Sequence, residues 1–258
     1  MATQIHSSAV VHAGAELAED VVIGPYCVVG PNVRLGAGVH LRSHVVVDGH
    51  TTLGARCEIW PFASVGTKTQ DLKFAGGNPR LVIGEKTVVR ECATIACATA
   101  DGCETQVGSS CLIMAYCHIA HDCVVGNRVI MSNAATLAGH VTVEEDCVIG
   151  GMTGIHQFVR VGRMAMLGGL SRTVKDVPPY MIAEGSPLQI FGPNKVGLER
   201  RGVSEEAQKA IKDAYKIVYR GTLTTSDALK EIEQTLPALP EIKHFVEFIR
   251  GSQRGITK

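Results

Sequence analysis

The sequence has few large aromatic residues. Phenylalanine, tyrosine and tryptophan make up 5% of 258 residues, so bulky rings do not build its core. It has no excess charge of either sign, with 25 Lys plus Arg against 25 Asp plus Glu, and nothing in that balance points to nucleic acid. Nine cysteines include no Cys-x-x-Cys pair, which argues against a zinc knuckle or a redox motif. No uncharged apolar run approaches the roughly 18 residues that span a bilayer. The opening MATQIHSSAVVHAG lacks the basic-then-apolar order of a signal peptide. A cytoplasmic protein without a transmembrane segment is therefore expected.

What is present is a strict period. In steps of six from Ile5 to Leu167, 25 of 28 positions hold Ile, Val, Leu or Met; the exceptions are Asp71, Gly77 and Asp101. Four places after the slot is a second restricted position, often Ala or Cys, and Cys27, Cys57, Cys111, Cys117, Cys123 and Cys147 all fall there. Cysteine in this phase reads as a small buried hydrophobe. A helix repeats at 3.6 and a strand at 2, so a period of six fits neither alone. It fits a parallel β-helix whose flat sides are six residues long, with three sides to a coil of eighteen. Roughly nine coils at strand spacing predict a prism on the order of 45 Å long.

Two stretches break the pattern. One is a projecting loop near residues 66–80, GTKTQDLKFAGGNPR, and the other, ATADGCETQ, surrounds Asp101. Loops leaving a rigid solenoid commonly carry function. After Leu167 the repeat fades and PPYMIAEGSP punctuates the chain. Ser204 then caps a helical pattern, and two further helices are predicted near Ser226–Leu236 and Pro240–Gly251. The expected organisation is a mainly β protein, with a β-helix over 1–192 and a small α-helical domain over 193–258.

On an eighteen-residue coil, Asp122 and His140 stack at the same corner of adjacent turns, and His118, His121 and His156 fall close to that corner. None of the five occupies an inward slot. Such a cluster has two chemical uses: three imidazoles could hold zinc, or one histidine could move a proton while a carboxylate fixes its tautomer. Spacing alone leaves both open.

The run HIAHDCVVGN, with AGHVTVEEDCVIGGMTGIHQF after it, QDLKFAG before it and GLERRG in the tail, resembles the UDP-N-acetylglucosamine 3-O-acyltransferases of lipid A synthesis over nearly the whole chain. The resemblance implies a left-handed β-helix, a homotrimer with sites between neighbouring prisms, and no metal or dissociable cofactor. It implies transfer of an (R)-3-hydroxyacyl chain from acyl carrier protein to the sugar 3-hydroxyl of UDP-N-acetylglucosamine. By the same resemblance His121 is the general base, Asp122 supports it, and the Gly139 N–H stabilises the oxyanion. His118, His140, His156 and Gln157 would line the cleft, while Gln70, Asp71 and Lys73 would grip the sugar nucleotide and acyl group. Asn194, Arg200 and Arg201 would contact uridine and phosphate. Gly169 falls at the chain-length position, where glycine leaves room for an acyl chain near fourteen carbons.

Two departures stand out. Ala96, Cys97, Ala98 and Thr99 replace the family's His-Arg-Gly-Thr, and Val196 stands where a glutamate usually follows the tail asparagine. Both fall on ligand-side positions and leave open a 3-amino sugar as acceptor, with an amide product. Other readings are a hexapeptide acyltransferase using coenzyme A, a zinc hydratase, and a scaffold that binds the carrier without turnover. Arg160, Arg163, Arg172 and Lys175 are the candidates for docking the acidic carrier.

Overall fold

The computed structural model describes residues 2–258. Short parallel strands, most of them two residues long, stack into three sheets of 11, 9 and 8 strands that form the faces of a triangular prism. A strand on one face is followed by a turn and a strand on the next. Val22 accordingly pairs with His40 and Ile23 with Leu41, in register, eighteen residues on. The same rungs fix the inward slots: Ile23, Leu41, Ile59, Ile95, Ile113 and Ile119 are all at most 1% exposed.

The first rung differs from this expectation. Ile5 is 48% exposed because the prism ends there, with one side of its slot open. The six in-phase cysteines are buried and free. Their thiols do more than fill space, since each points at a backbone carbonyl of the next turn, as Cys123 Sγ does at Ala138 O, 3.2 Å away. Burial pushes these thiols up, Cys57 and Cys117 to about 11 and Cys123 to about 12, so they stay protonated and unreactive.

Three edges join the faces. The second turn residue at most of these corners takes a left-handed backbone, including Asp122, His140 and Phe158 at φ 57°, 60° and 64° on the edge between the nine- and eight-strand faces. Both insertions leave the wall at this same edge. Ile59 pairs with Val89, thirty residues on, and Val89 with Ile113, twenty-four on. The excesses over eighteen are twelve and six residues. A looped insertion can take any length without disturbing the wall; these two lengths happen to preserve the six-residue phase. The first loop is tighter than the sequence suggests, because strands Ser64–Thr67 and Arg80–Ile83 close in on it from both sides.

The wall continues past Leu167. Thr173 fills the next inward slot, fully buried, and Met181–Glu184 adds a parallel strand beside Met166–Leu167. It then turns back through Gln189–Pro193 as an antiparallel hairpin, so the segment read as punctuation caps the eleven-strand face. Four helices follow: α1 Lys195–Arg200, α2 Glu205–Tyr219, α3 Thr225–Thr235 and α4 Pro240–Arg250. The short α1 was not expected. Ser204 caps α2 as its sequence implies, and α3, expected near Ser226–Leu236, runs Thr225–Thr235 with Thr224 as its cap. Ile211, Ile232, Phe245 and Phe248 pack between the helices against Tyr180 and Met181, which fastens the bundle to the end of the prism.

Replacing Ile119 by alanine opens a cavity in a wall that cannot collapse and should cost about 2–5 kcal/mol. Ile5→Ala should cost under about 1 kcal/mol, as at other surface positions. Denaturant unfolding compares the two, and equal losses would contradict the packing described.

Candidate active site

A groove of about 530 Å³ runs along the edge between the nine- and eight-strand faces. Gln70, Asp71, Leu72 and Lys73 of the first loop line one side, and His118, His121, Gly139 and Gln157 of the wall line the other, with Ala96, Ala120, Thr136 and Ala138 between. The rung spacing dictates this convergence. His121 and Asp122 form one turn of the edge, Gly139 and His140 the next, and Gln157 and Phe158 the one after.

His121 is 8% exposed. Its Nδ1 donates to Asp122 Oδ2 at 2.9 Å, which leaves Nε2 as a free acceptor toward the groove. Burial alone would raise the Asp122 carboxyl, but hydrogen bonds from Thr99 and His121, with His140 nearby, more than offset it. The carboxyl is held below its ordinary range and stays ionised. On the next turn, His140 meets the His121 ring edge-on at 5.1 Å and stacks on Phe158 at 4.7 Å. His118, immediately before the turn, pairs its Nδ1 with Thr94 Oγ1 at 2.7 Å. Burial, then the proximity of His121, lowers its pKa, so it is neutral at neutral pH.

Gly139 lies flat against the His121 imidazole. A Cβ there would meet Nε2 at 2.6 Å and Nδ1 at 3.0 Å, so only glycine fits without moving the ring. Its N–H makes no hydrogen bond among the described residues. An acceptor ring nitrogen thus stands beside an unspent backbone donor, the pairing that acyl transfer to a hydroxyl or amine requires.

Other residues singled out by sequence lie elsewhere. His156 is outside the groove, with Nδ1 facing Gln157 O at 3.2 Å and Arg254 Nη2 at 3.4 Å. Gly169 sits on the edge between the eleven- and nine-strand faces, beside Gly151. Asn194 caps α1, accepting from Gly197 N–H while its amide donates to Met164 O, so both ends of its side chain are engaged. Arg201 Nε holds Asp146 Oδ1 at 2.9 Å on the third edge, a carboxylate already forked by Arg128. Arg200, in the last turn of α1, is exposed. One chain therefore assembles the loop and histidine groups but does not bring these tail residues to them.

The zinc reading expects three converging imidazoles. Among the described residues the set close enough to share an ion is His121, Asp122 and His140, with ligand atoms within 4.8 Å. His118 is turned to Thr94, His140 is stacked on Phe158, and the Asp122 oxygen facing the pair already accepts from Thr99 Oγ1 and His121. That is a carboxylate-oriented imidazole, with one ring committed to it.

Sequence reasoning did not single out Thr94, Thr136 or Phe158, and met Thr99 only as the end of an altered motif. The eighteen-residue stacking rule signals Phe158, which lies 18 residues after His140. Nothing in the spacing signals Thr99, because it lies on an insertion.

Comparisons with known proteins bear on the same residues. The family described as UDP N-acetylglucosamine O-acyltransferase, domain 2, matches residues 176–257, and the bacterial transferase hexapeptide repeat matches 2–37 and 104–139. The structure of LpxA from Acinetobacter baumannii is 40% identical, covering 98% of this chain and 99% of its own, with a TM-score of 0.95. LpxA from Bacteroides fragilis, a UDP-N-acetylglucosamine acyltransferase, is 37% identical over 99% of this chain and 100% of its own, TM-score 0.95. The Arabidopsis UDP-N-acetylglucosamine acyltransferase is 35% identical over 98% and 100%, TM-score 0.88. Identity at this level over essentially the full length means that the prism is a left-handed parallel β-helix and that the chain belongs to the UDP-N-acetylglucosamine acyltransferase family.

Proposed function

We propose that the protein transfers an (R)-3-hydroxyacyl chain from acyl carrier protein to the 3-hydroxyl of UDP-N-acetylglucosamine, the first acylation of lipid A synthesis, with His121 as general base. The observation that carries this reading is the His121–Asp122 pair, 2.9 Å apart, facing the groove beside the unspent Gly139 N–H. His121 Nε2 takes the hydroxyl proton as the sugar oxygen attacks the thioester carbonyl. The Gly139 N–H stabilises the oxyanion, and Asp122 stabilises the imidazolium. Collapse breaks the C–S bond, and the proton passes from His121 to the departing thiolate. Ester forms and free carrier thiol leaves. Gln70, Asp71 and Lys73 hold the sugar nucleotide, and His118, His140 and Gln157 line its path.

The tail and chain-length residues enter through assembly. His121, Gly169 and Arg201 sit on three different edges of one prism, so they cannot converge on one ligand within a chain. A homotrimer of parallel prisms would bring an edge of one copy against another. The outward side of the eleven-strand face supports it, with half-buried Leu112, Ile130, Val148 and Met166. Exposed Tyr116, Met152 and Leu170 follow along its edge; such a strip marks an association surface. In this arrangement residues 1–192 form the transferase prism. Residues 193–258 supply nucleotide contacts through Arg200, with Asn194 and Arg201 acting as supports. Gly169 leaves room for a long acyl chain. No described helix is long and apolar enough to cross a membrane, in keeping with a cytoplasmic site of action.

Ala96 faces the groove where the family carries histidine, whereas the Cys97 thiol turns inward to Gly66 O at 3.0 Å. The altered motif therefore changes one groove position, which supports a second reading in which a 3-amino sugar is acylated to an amide. A transfer assay with either acceptor, read by mass spectrometry, separates ester from amide; no product with either would sink both.

His121→Ala should lower kcat by roughly 10²–10⁴-fold, and full retention of activity would place the proton elsewhere. Gly139→Ala, which pushes a methyl into the imidazole, should cost roughly 10²-fold in kcat without unfolding the wall; wild-type turnover would contradict the close approach. Of the docking cations, Arg160 lies over the Phe248 ring and Arg163 is paired with Glu145, while Arg172 and Lys175 are exposed and make no ion pair among the described residues. Arg172→Glu and Lys175→Glu should raise the KM for acyl carrier protein in a salt-dependent way, and unchanged kinetics would move the docking surface elsewhere.

A further inference from the structure

The six-residue insertion around Asp101 does something specific to the groove. Its entry is fixed by backbone hydrogen bonds, Cys97 N–H to Thr67 O at 3.1 Å and Ala98 N–H to Arg80 O at 3.2 Å, with Ala98 fully buried. Further along, the Asp101 carboxylate accepts from Asn78 N–H, tying this insertion to the larger loop. Between these anchors stands Thr99. Its hydroxyl donates to Asp122 Oδ2 at 2.7 Å, and its backbone N–H donates to Oδ1 at 3.3 Å. Asp122 N–H in turn donates to Thr105 Oγ1 at 2.9 Å, where the chain rejoins the wall.

Asp122 has two imidazoles to choose from. His121 Nδ1 is at 2.9 Å and His140 Nε2 at 3.7 Å, both measured to the same Oδ2. A carboxylate held only by its own turn could rotate toward the second ring. We infer that Thr99 is a positioning residue: its hydroxyl and amide grip both oxygens of Asp122 so that the carboxylate serves His121 and not His140, which holds His121 in the Nδ1–H tautomer with Nε2 open to the acceptor. The lowered pKa of Asp122 agrees with this, since the hydrogen bond from the Thr99 hydroxyl stabilises the carboxylate against the effect of burial. The inference rests on His121 being the base.

The test combines turnover with the ring nitrogens of His121, observed by ¹⁵N NMR and assigned by difference from His121→Ala. Thr99→Val keeps the shape and removes the hydroxyl; Thr99→Ser keeps the hydroxyl. The valine variant should populate the Nε2–H tautomer and lose roughly 10²-fold in kcat, with an unchanged KM for the sugar nucleotide. The serine variant should stay near wild type in both readouts. Thr99→Ala gives the same contrast should valine not be accommodated. An unchanged tautomer in the valine variant overturns the inference, as does a serine variant that falls as far as valine, since packing would then be the cause. A shifted tautomer with intact kcat upholds Thr99 as the positioning group and instead removes His121 as the base.

Discussion

Everything in this protein depends on the register of one rung upon the next. Backbone hydrogen bonds hold residues eighteen apart side by side, as when Val28 N–H meets Val45 O and Gly30 N–H meets Val47 O. Because the inward aliphatic must land in its slot on every face, a slip of one residue would turn a whole coil inside out. The wall is consequently intolerant of change at the slots and indifferent at the edges. Polar groups can collect at an edge for that reason: His121, Gly139 and His140 occupy turn positions that the core does not need.

The edge also solves an electrostatic problem. An ionised carboxylate in a buried setting is costly unless its oxygens are satisfied. Asp122 is satisfied by the Thr99 hydroxyl and the His121 ring on one oxygen and by the Thr99 N–H on the other, while the His140 ring stands 3.7 Å away, one turn on. The rigid wall sets the two histidines, and the insertion adds the donor that the wall cannot supply. Opposite them the larger loop brings Gln70, Asp71 and Lys73 to the same groove. Both insertions leave from this edge, so the groove is a product of where the repeat is interrupted as much as of the repeat itself.

Much of this was legible in the residues. The six-residue period from Ile5 to Leu167 specified faces, slots and stacking, and it placed Asp122 beneath His140 correctly because no insertion separates them. His156 falls two residues short of that stack, where Phe158 stands, and its ring faces Gln157 O and Arg254, because the period fixes where a residue sits near the edge and not which way a long side chain turns. Thr99 was hidden for the opposite reason, since its partner lies 23 residues on, across an insertion whose path no periodicity describes. The hairpin of Met181–Glu184 and Gln189–Pro193 was masked by its prolines and glycines, which mark turns more strongly than short strands mark themselves. Residues near Arg201 were assigned by resemblance alone, and within one chain Arg201 holds Asp146 instead.

The most direct measurement is a crystal structure of the protein with UDP-N-acetylglucosamine bound. The account predicts the sugar in the groove between Lys73 and His121, with its 3-oxygen within about 2.6–3.2 Å of His121 Nε2. It also predicts that the nucleotide reaches Arg200 of a neighbouring copy. A sugar bound along another edge, or one whose 3-oxygen faces away from His121 while the site is fully occupied, would contradict it.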